Sequence, residues 1–137
     1  MAARILVVED NPTNLDLLVY LLESFGHSVV TAQDGAAGVA AARRERPDLI
    51  LCDLHMPVLD GFGVAAALKG DDELRSIPLV AITASAMAGD RGRALAAGFD
   101  GYLSKPIDPE TLDGQIEAFL LPPGQRSLKD HGEDPGR

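Results

Sequence analysis

Five short apolar runs recur along the chain, and a stretch with helical periodicity separates each run from the next. They occupy residues 5–8, 28–32, 49–52, 79–82 and 102–103. Short runs rich in branched aliphatic residues, with helices between them, are typical of buried strands in a parallel sheet. The pattern predicts a doubly wound α/β domain with right-handed crossovers, five helices and a five-stranded parallel sheet in the order 2-1-3-4-5.

Capping residues predict where the helices begin and end. Asn11-Pro12 opens the first helix and Gly26 ends it, because Pro suits the first helical position and Gly the position after the last. Further helices are predicted over residues 34–46, about 61–69, about 87–97 and from 109 onward. Gly89 and Gly92 lie inside the fourth helix, and each costs about 1 kcal/mol relative to Ala, so this helix is expected to be the weakest.

Composition excludes several classes of protein. The net charge of −9 argues against direct binding to nucleic acid, which needs clustered cations. Cys52 is the one cysteine of the sequence, so neither a disulfide nor a thiolate zinc site can form within a single chain. No apolar stretch reaches the roughly 18 residues that suggest a membrane span, and the amino terminus does not resemble a signal peptide. We therefore expect a cytoplasmic protein.

The last 16 residues differ from the rest of the chain. Pro122-Pro123-Gly124 interrupts the helical pattern, and the sequence beyond it is polar and aperiodic. Segments that cannot bury apolar surface remain disordered. The sequence predicts one folded domain over residues 1–121 and a disordered tail over residues 122–137.

Polar residues follow four of the five apolar runs. Glu9 and Asp10 follow the first run, Asp53 the third, Thr83 the fourth and Lys105 the fifth. In an open α/β sheet, ligands bind outside the carboxyl ends of the strands, where the strand order reverses. The sequence therefore predicts a site that gathers three carboxylates, a hydroxyl and an ammonium group.

This set of groups indicates phosphoryl chemistry with a metal ion. Three neighbouring carboxylates repel one another, and a hard divalent cation such as Mg²⁺ relieves the repulsion while keeping room for phosphate oxygens. A carboxylate can act as a nucleophile towards phosphorus, and Asp53 is the best candidate because it stands alone on its strand. Thr83 and Lys105 would then contact phosphoryl oxygens.

Several residues have simpler explanations. A lone Asp after a strand is most often a cap or turn residue, and Tyr102 is readily explained as a residue that fills the core. His55 is expected to face solvent at the mouth of the site and to tune loss of the phosphoryl group. Cys52 is expected to be a buried, unreactive residue, and His27 and His131 are expected at the surface.

Four segments together resemble the receiver domain of two-component response regulators, which has a flavodoxin-like fold. They are Val-Val-Glu-Asp-Asn at 7–11, Asp-Leu-His-Met-Pro-Val-Leu-Asp-Gly at 53–61, Ile-Thr-Ala at 82–84 and Gly-Tyr-Leu-Ser-Lys-Pro at 101–106. The gaps of 43, 30 and 22 residues that separate Asp10, Asp53, Thr83 and Lys105 are similar to those of the family. The resemblance covers about residues 4–120.

The resemblance implies a role for each site residue. Asp53 accepts a phosphoryl group from a phosphohistidine, and Mg²⁺ is bound by Asp10, Asp53 and the main-chain carbonyl of His55, with Glu9 acting through water. Lys105 contacts the phosphoryl group and precedes a cis peptide bond. Thr83 and Tyr102 match the switch pair, in which the hydroxyl moves to the phosphate and the ring turns inward.

The resemblance also implies partners and a subclass. The segments 85–87 and 104–107 look most like DivK-type single-domain regulators and the receivers of hybrid kinases, and we expect no output domain after Leu121. A histidine kinase or a histidine phosphotransfer protein would dock near the first helix. A downstream target would read the face formed by the fourth helix, the fifth strand and the fifth helix. The protein would be a monomer or a phosphorylation-dependent dimer.

Three alternatives remain open at this point. The chain could be a receiver excised from a hybrid histidine kinase, or a degenerate receiver that only binds a partner. It could also be a phosphohydrolase with an aspartyl nucleophile. Such enzymes usually carry a second Asp two positions after the first, and His55 stands there instead. A switch that stores a phosphoryl group, rather than an enzyme, is therefore the favoured function.

Overall fold

A computed structural model describes residues 2–56, 58–84 and 88–121, and of residues 88–90 it describes the backbone alone. Five strands alternate with five helices along the chain. The strands are β1 (Arg4–Val8), β2 (Ser28–Ala32), β3 (Leu49–Asp53), β4 (Leu79–Thr83) and β5 (Gly101–Ser104). The helices are α1 (Pro12–Ser24), α2 (Gly35–Glu45), α3 (Gly61–Lys69), α4 (Ala88–Ala96) and α5 (Pro109–Leu120).

All five strands pair in parallel, in the order β2-β1-β3-β4-β5. The order reverses between β1 and β3, as the sequence predicts. The register sets Val8 beside Cys52, Asp53 beside Ile82 and Thr83 beside Ser104. The carboxyl ends of four strands are therefore level with one another, and the predicted fold class is confirmed.

In four of the five helices, the side chain of the residue just before the first helical residue caps the helix start. The Asn11 carboxamide accepts hydrogen bonds from the main-chain N–H groups of Thr13 and Asn14. The carboxylates of three aspartates do the same for α2, α3 and α5. Such caps satisfy donors that the helix itself leaves unpaired. These residues explain why the predicted helix starts agree with the structure.

The apolar residues of each strand alternate between two core layers. One face of the sheet packs under α2, α3 and α4, and the other packs under α1 and α5. Leu6 and Val8 belong to the first layer, whereas Ile5 and Val7 belong to the second. A sheet covered on both faces requires strands that are apolar on both faces, which is the pattern of the sequence.

Helix α4 is the least buried helix of the described chain. Of its residues 91–96, Ala94 alone is buried, and Leu95 is 47% exposed. The described helix runs over Ala88–Ala96, close to the predicted 87–97. Position 87, Pro57, and the tail over residues 122–137 with His131 lie outside the described residues.

One expectation is corrected by the structure. His27 lies in the core and not at the surface, with 4% of the residue exposed. Its ring nitrogen Nδ1 accepts a hydrogen bond from the main-chain N–H of Ala3 at 3.1 Å, which makes burial of the imidazole tolerable. Helix α2 ends at Glu45 with Arg46 as its C-cap, in the left-handed region at φ 46°, close to the predicted end at residue 46.

Candidate functional site

A cavity of about 530 Å³ opens at the carboxyl ends of β1, β3, β4 and β5. Each strand end contributes a polar group to it because the strands are parallel and in register. Six of the seven site residues predicted from the sequence line this cavity: Glu9, Asp10, Asp53, His55, Thr83 and Lys105. The seventh, Tyr102, is half-buried and packs against the core layer under α2, α3 and α4.

Lys105 joins the two buried carboxylates of the cavity. Its Nζ donates a hydrogen bond to Asp53 Oδ2 at 3.0 Å and lies 2.8 Å from Glu9 Oε1. The contact with Glu9 is therefore a close ion pair. Burial alone would lower the pKa of Lys105, but its contacts with Glu9 and Asp53 outweigh burial and raise that pKa.

Glu9 is the most buried acid of the site, with 1% of the residue exposed. Burial raises the pKa of its carboxyl group, the nearby charge of Asp53 raises it further, and contacts with Lys105 and the Asn11 N–H oppose the rise. The second oxygen, Oε2, accepts the main-chain N–H of Asn11 at 3.1 Å. Glu9 therefore connects the residue that caps α1 to the ammonium group that follows β5.

Both carboxylate oxygens of Asp53 accept hydrogen bonds. Oδ1 accepts the main-chain N–H of His55 at 3.2 Å, and Oδ2 accepts the Lys105 ammonium. The His55 side chain is exposed at the cavity, as expected. Thr83 is 1% exposed and ends β4 beside this pair.

The carboxylates fit a hard divalent cation. One oxygen each from Glu9, Asp10 and Asp53 lies within 4.8 Å of the other two. Oε1 of Glu9 already pairs with Lys105 Nζ, but one ammonium group does not balance three neighbouring carboxylates. Three carboxylates with space for water are the donor set that Mg²⁺ prefers.

A second group of potential ligands lies at the opposite end of the sheet. His27, Asp113 and Glu117 also bring one possible ligand atom each to within 4.8 Å of one another. However, Nδ1 of His27 accepts the Ala3 N–H, so in the neutral ring the proton resides on Nε2. Nε2 then has no free electron pair for a metal, and the group is a poor metal site.

Sequence reasoning missed three residues of the cavity. Asn11, which was predicted only as the start of α1, lines it together with Asn14 and Ala84. Asn14 lies one helical turn after Asn11, so the amphipathic pattern of α1 is a usable signal for it. Ala84 carries no such signal, because a small apolar residue after a strand has many uses.

In the described part of the chain, no helix has the length and hydropathy needed to cross a membrane. The fold and the cavity together define a doubly wound α/β domain whose polar site lies where the strand order reverses. The chain belongs to the response regulator receiver domain family, which matches residues 5–117. The match confirms the resemblance and identifies the chain with a family of signalling switches.

Named relatives support the same family. The chain is 42% identical to the protein PilH of Pseudomonas aeruginosa over 118 residues, which cover 86% of this chain and 98% of PilH. It is 40% identical to the polar-differentiation response regulator DivK of Brucella anthropi over 120 residues, which cover 88% of this chain and 98% of DivK.

Solved structures show the same fold. The receiver domain of a Pseudomonas aeruginosa sensor histidine kinase, which has a magnesium ion coordinated in its active-site cleft, is 37% identical with a TM-score of 0.81. The alignment covers 88% of this chain and 98% of that domain. The chemotaxis protein CheY4 of Vibrio cholerae is 30% identical with a TM-score of 0.80, over 85% of this chain and 98% of that one.

Proposed function

We propose that this chain is a single-domain response regulator of a two-component or phosphorelay system. Asp53 accepts a phosphoryl group from a phosphohistidine, with Mg²⁺ as the cofactor, and the phosphorylated form controls a partner protein. The observation that carries the proposal is the position of Lys105 Nζ, 3.0 Å from Asp53 Oδ2 and 2.8 Å from Glu9 Oε1, in a cavity that Thr83 also lines.

The acidic residues would hold the metal. Asp10, Asp53 and the main-chain carbonyl of His55 would bind Mg²⁺ directly, and Glu9 would bind it through a water molecule. When bound, the ion supplies positive charge that stabilises the oxygens of a transferring phosphoryl group. The approach of one oxygen each from Glu9, Asp10 and Asp53 to within 4.8 Å of one another supports this assignment.

Phosphoryl transfer needs little covalent chemistry from the protein. An Asp53 oxygen forms the new P–O bond while the N–P bond of the phosphohistidine breaks, and the imidazole leaves with the electron pair. The ammonium of Lys105 already contacts Asp53, so it needs only a short movement to pair with a phosphoryl oxygen. Thr83 would donate its hydroxyl to another oxygen.

The switched surface would comprise α4, β5 and α5. The hydroxyl of Thr83 moves to the phosphoryl group, and Tyr102 turns inward in response. A histidine kinase or histidine phosphotransfer protein docks near α1 at the cavity, and a downstream target reads the switched surface. We place the protein in the cytoplasm, as a monomer or a phosphorylation-dependent dimer, with residues 1–121 as the folded domain.

A free-standing regulator is favoured over a receiver from a hybrid kinase. The chain covers 98% of both PilH and DivK, so it aligns with nearly the whole of two relatives. The similar receiver of a sensor histidine kinase keeps the hybrid origin as a second candidate. An exposed His55 at the cavity, in place of a second acid, favours storage of the phosphoryl group over hydrolytic turnover.

Incubation with acetyl phosphate and Mg²⁺, followed by intact mass measurement, tests the proposal. We expect the addition of one labile phosphoryl group, which fails to form in Asp53→Asn and is reduced when the metal is chelated. The matched control is Asp60→Asn, which changes an acid seven residues after Asp53 while keeping a good cap for α3.

Two results would contradict the proposal. Phosphoryl addition that persists in Asp53→Asn would place the acceptor elsewhere. Rapid, repeated turnover of a generic phosphate ester in the presence of Mg²⁺ would identify a phosphohydrolase instead of a switch.

A further inference from the structure

The backbone that follows Asp53 packs directly against the start of α3. The N–H of Gly61 donates to the carbonyl of Leu54 at 2.9 Å. A Cβ on Gly61 would lie only 2.5 Å from the Asp53 carbonyl oxygen and 2.8 Å from the Leu54 Cα. There is no slack between these backbones, so a shift of the Asp53–Leu54 peptide must move the first turn of α3.

The next residue, Phe62, connects this turn to α4. The guanidinium carbon of Arg93 lies over its ring, 5.0 Å from the centroid. The buried ring of Phe99 meets the same ring edge to face, with centroids 6.4 Å apart and planes at 87°. A cation over an aromatic face is attracted by the negative face of the ring, so Phe62 joins α3 to α4.

Helix α4 is packed loosely enough for a single cation–π contact to affect its stability. Ala94 is the single buried side chain among residues 91–96, and Gly92 adds no side chain that could pack. At an exposed site, a cation–π contact changes an equilibrium about two- to fivefold. Elements with few buried contacts open locally with low free energies. A two- to fivefold change in the opening equilibrium is therefore significant for α4.

We propose that Phe62 and Arg93 form a clasp that holds α4 in the unphosphorylated protein, and that phosphorylation of Asp53 loosens the clasp through Gly61. The coupling rests on the function proposed above. It is separate from the Thr83–Tyr102 pair because it runs from β3 through α3, not through β4 and β5. Asp53 gains a charge of about −1.5 to −2 and exchanges its contacts with Lys105 and the His55 N–H, which displaces its peptide.

Hydrogen exchange of the α4 amides in the unphosphorylated, full-length protein tests the clasp. Arg93→Gln and Phe62→Leu are each expected to speed this exchange about two- to fivefold. The double variant should exchange no faster than the faster single variant. Because Arg93 makes further contacts, this double-mutant cycle is needed to isolate its pair with Phe62.

The control is Arg75→Gln, which removes an exposed arginine from the α3–β4 connection and should leave α4 exchange unchanged. The clasp would be overturned if the effects of Arg93→Gln and Phe62→Leu on α4 exchange were additive in the double variant. Arg93 is exposed, so Arg93→Gln keeps the fold even if Phe62→Leu weakens the core.

The same measurement after phosphorylation tests the coupling. Intact mass first establishes that each variant carries the phosphoryl group, so a failure of the proposed function is seen separately. In the wild type, phosphorylation should speed α4 exchange, and in Arg93→Gln this increase should shrink at least twofold. An increase of equal size in phosphorylated wild type and phosphorylated Arg93→Gln would overturn the coupling.

Discussion

Asp53 is positioned by the main chain of its neighbours as well as by side chains. The His55 N–H contacts its carboxylate, and the Gly61 backbone leaves no room beside its carbonyl oxygen. A glycine is needed at position 61 because of this close approach and not because of its backbone dihedral angles. The main chain that carries this carboxylate is therefore held by packing that any larger residue at position 61 would disturb.

Replacement of this glycine should damage both stability and the site. Gly61→Ala is expected to lower the free energy of unfolding by about 2 kcal/mol, because the added methyl group meets backbone that cannot rotate away. Acceptance of phosphoryl groups from acetyl phosphate should also slow. Urea denaturation and intact mass measure the two effects.

Gly114→Ala in α5 is the matched control. A Cβ there has no atom within 4 Å, so the substitution should stabilise the protein by about 0.5–1 kcal/mol through helix propensity. Equal effects of Gly61→Ala and Gly114→Ala would contradict the packing argument.

At the scale of elements, the helices differ in how firmly they are attached. Helix α1 buries four leucines, whereas the described side chains of α4 bury one alanine. A helix in a protein is stabilised mainly by packing of its apolar face. Helix α4 is therefore the element whose position responds most readily to small changes in contacts or propensity.

A higher helix propensity in α4 should slow the local opening of this helix. In Gly92→Ala the new methyl group meets no atom within 4 Å, so the helix gains about 1 kcal/mol of propensity without a clash. We expect hydrogen exchange of the α4 amides to slow about fivefold, with exchange of the α1 amides unchanged. Uniform slowing in all helices would show instead that α4 opens only when the whole domain unfolds.

The elements were largely predictable because their signals are local. Asn11 and Asp108 cap the helices they were expected to cap, and apolar periodicity indicated which positions are buried. The end of α2 was predicted to within one residue, although nothing in the sequence indicates that Arg46 adopts a left-handed conformation. The burial of His27 was missed because its partner, the Ala3 N–H, is 24 residues away.

At the scale of the whole molecule, parallel topology makes the site predictable. Once the strand order is known, residues that follow the apolar runs must converge, so Glu9, Asp53 and Lys105 could be grouped from the sequence. The finer contacts could not be predicted. The two partners of Glu9 and the stacking of Arg93 on Phe62 depend on side-chain directions, which periodicity does not encode.

The folded domain should function without the carboxyl-terminal segment. Residues 122–137 carry no net charge and lie beyond the residues that match the family. Deletion of this segment is expected to leave the rate of phosphorylation by acetyl phosphate unchanged within a factor of two. Intact mass over time measures the rate, and a marked loss would assign the segment a role in the site.

The place of β1 in the sheet has a consequence for biosynthesis. It is the first strand to be made, yet it lies between β2 and β3, and β3 is complete only at residue 53. A chain emerging from the ribosome therefore exposes one edge of β1 until its second neighbour arrives. Unpaired apolar strands are prone to aggregation. Helix α1 is synthesised before β3 and covers one face of β1, so it can shield the nascent chain until β3 pairs with β1.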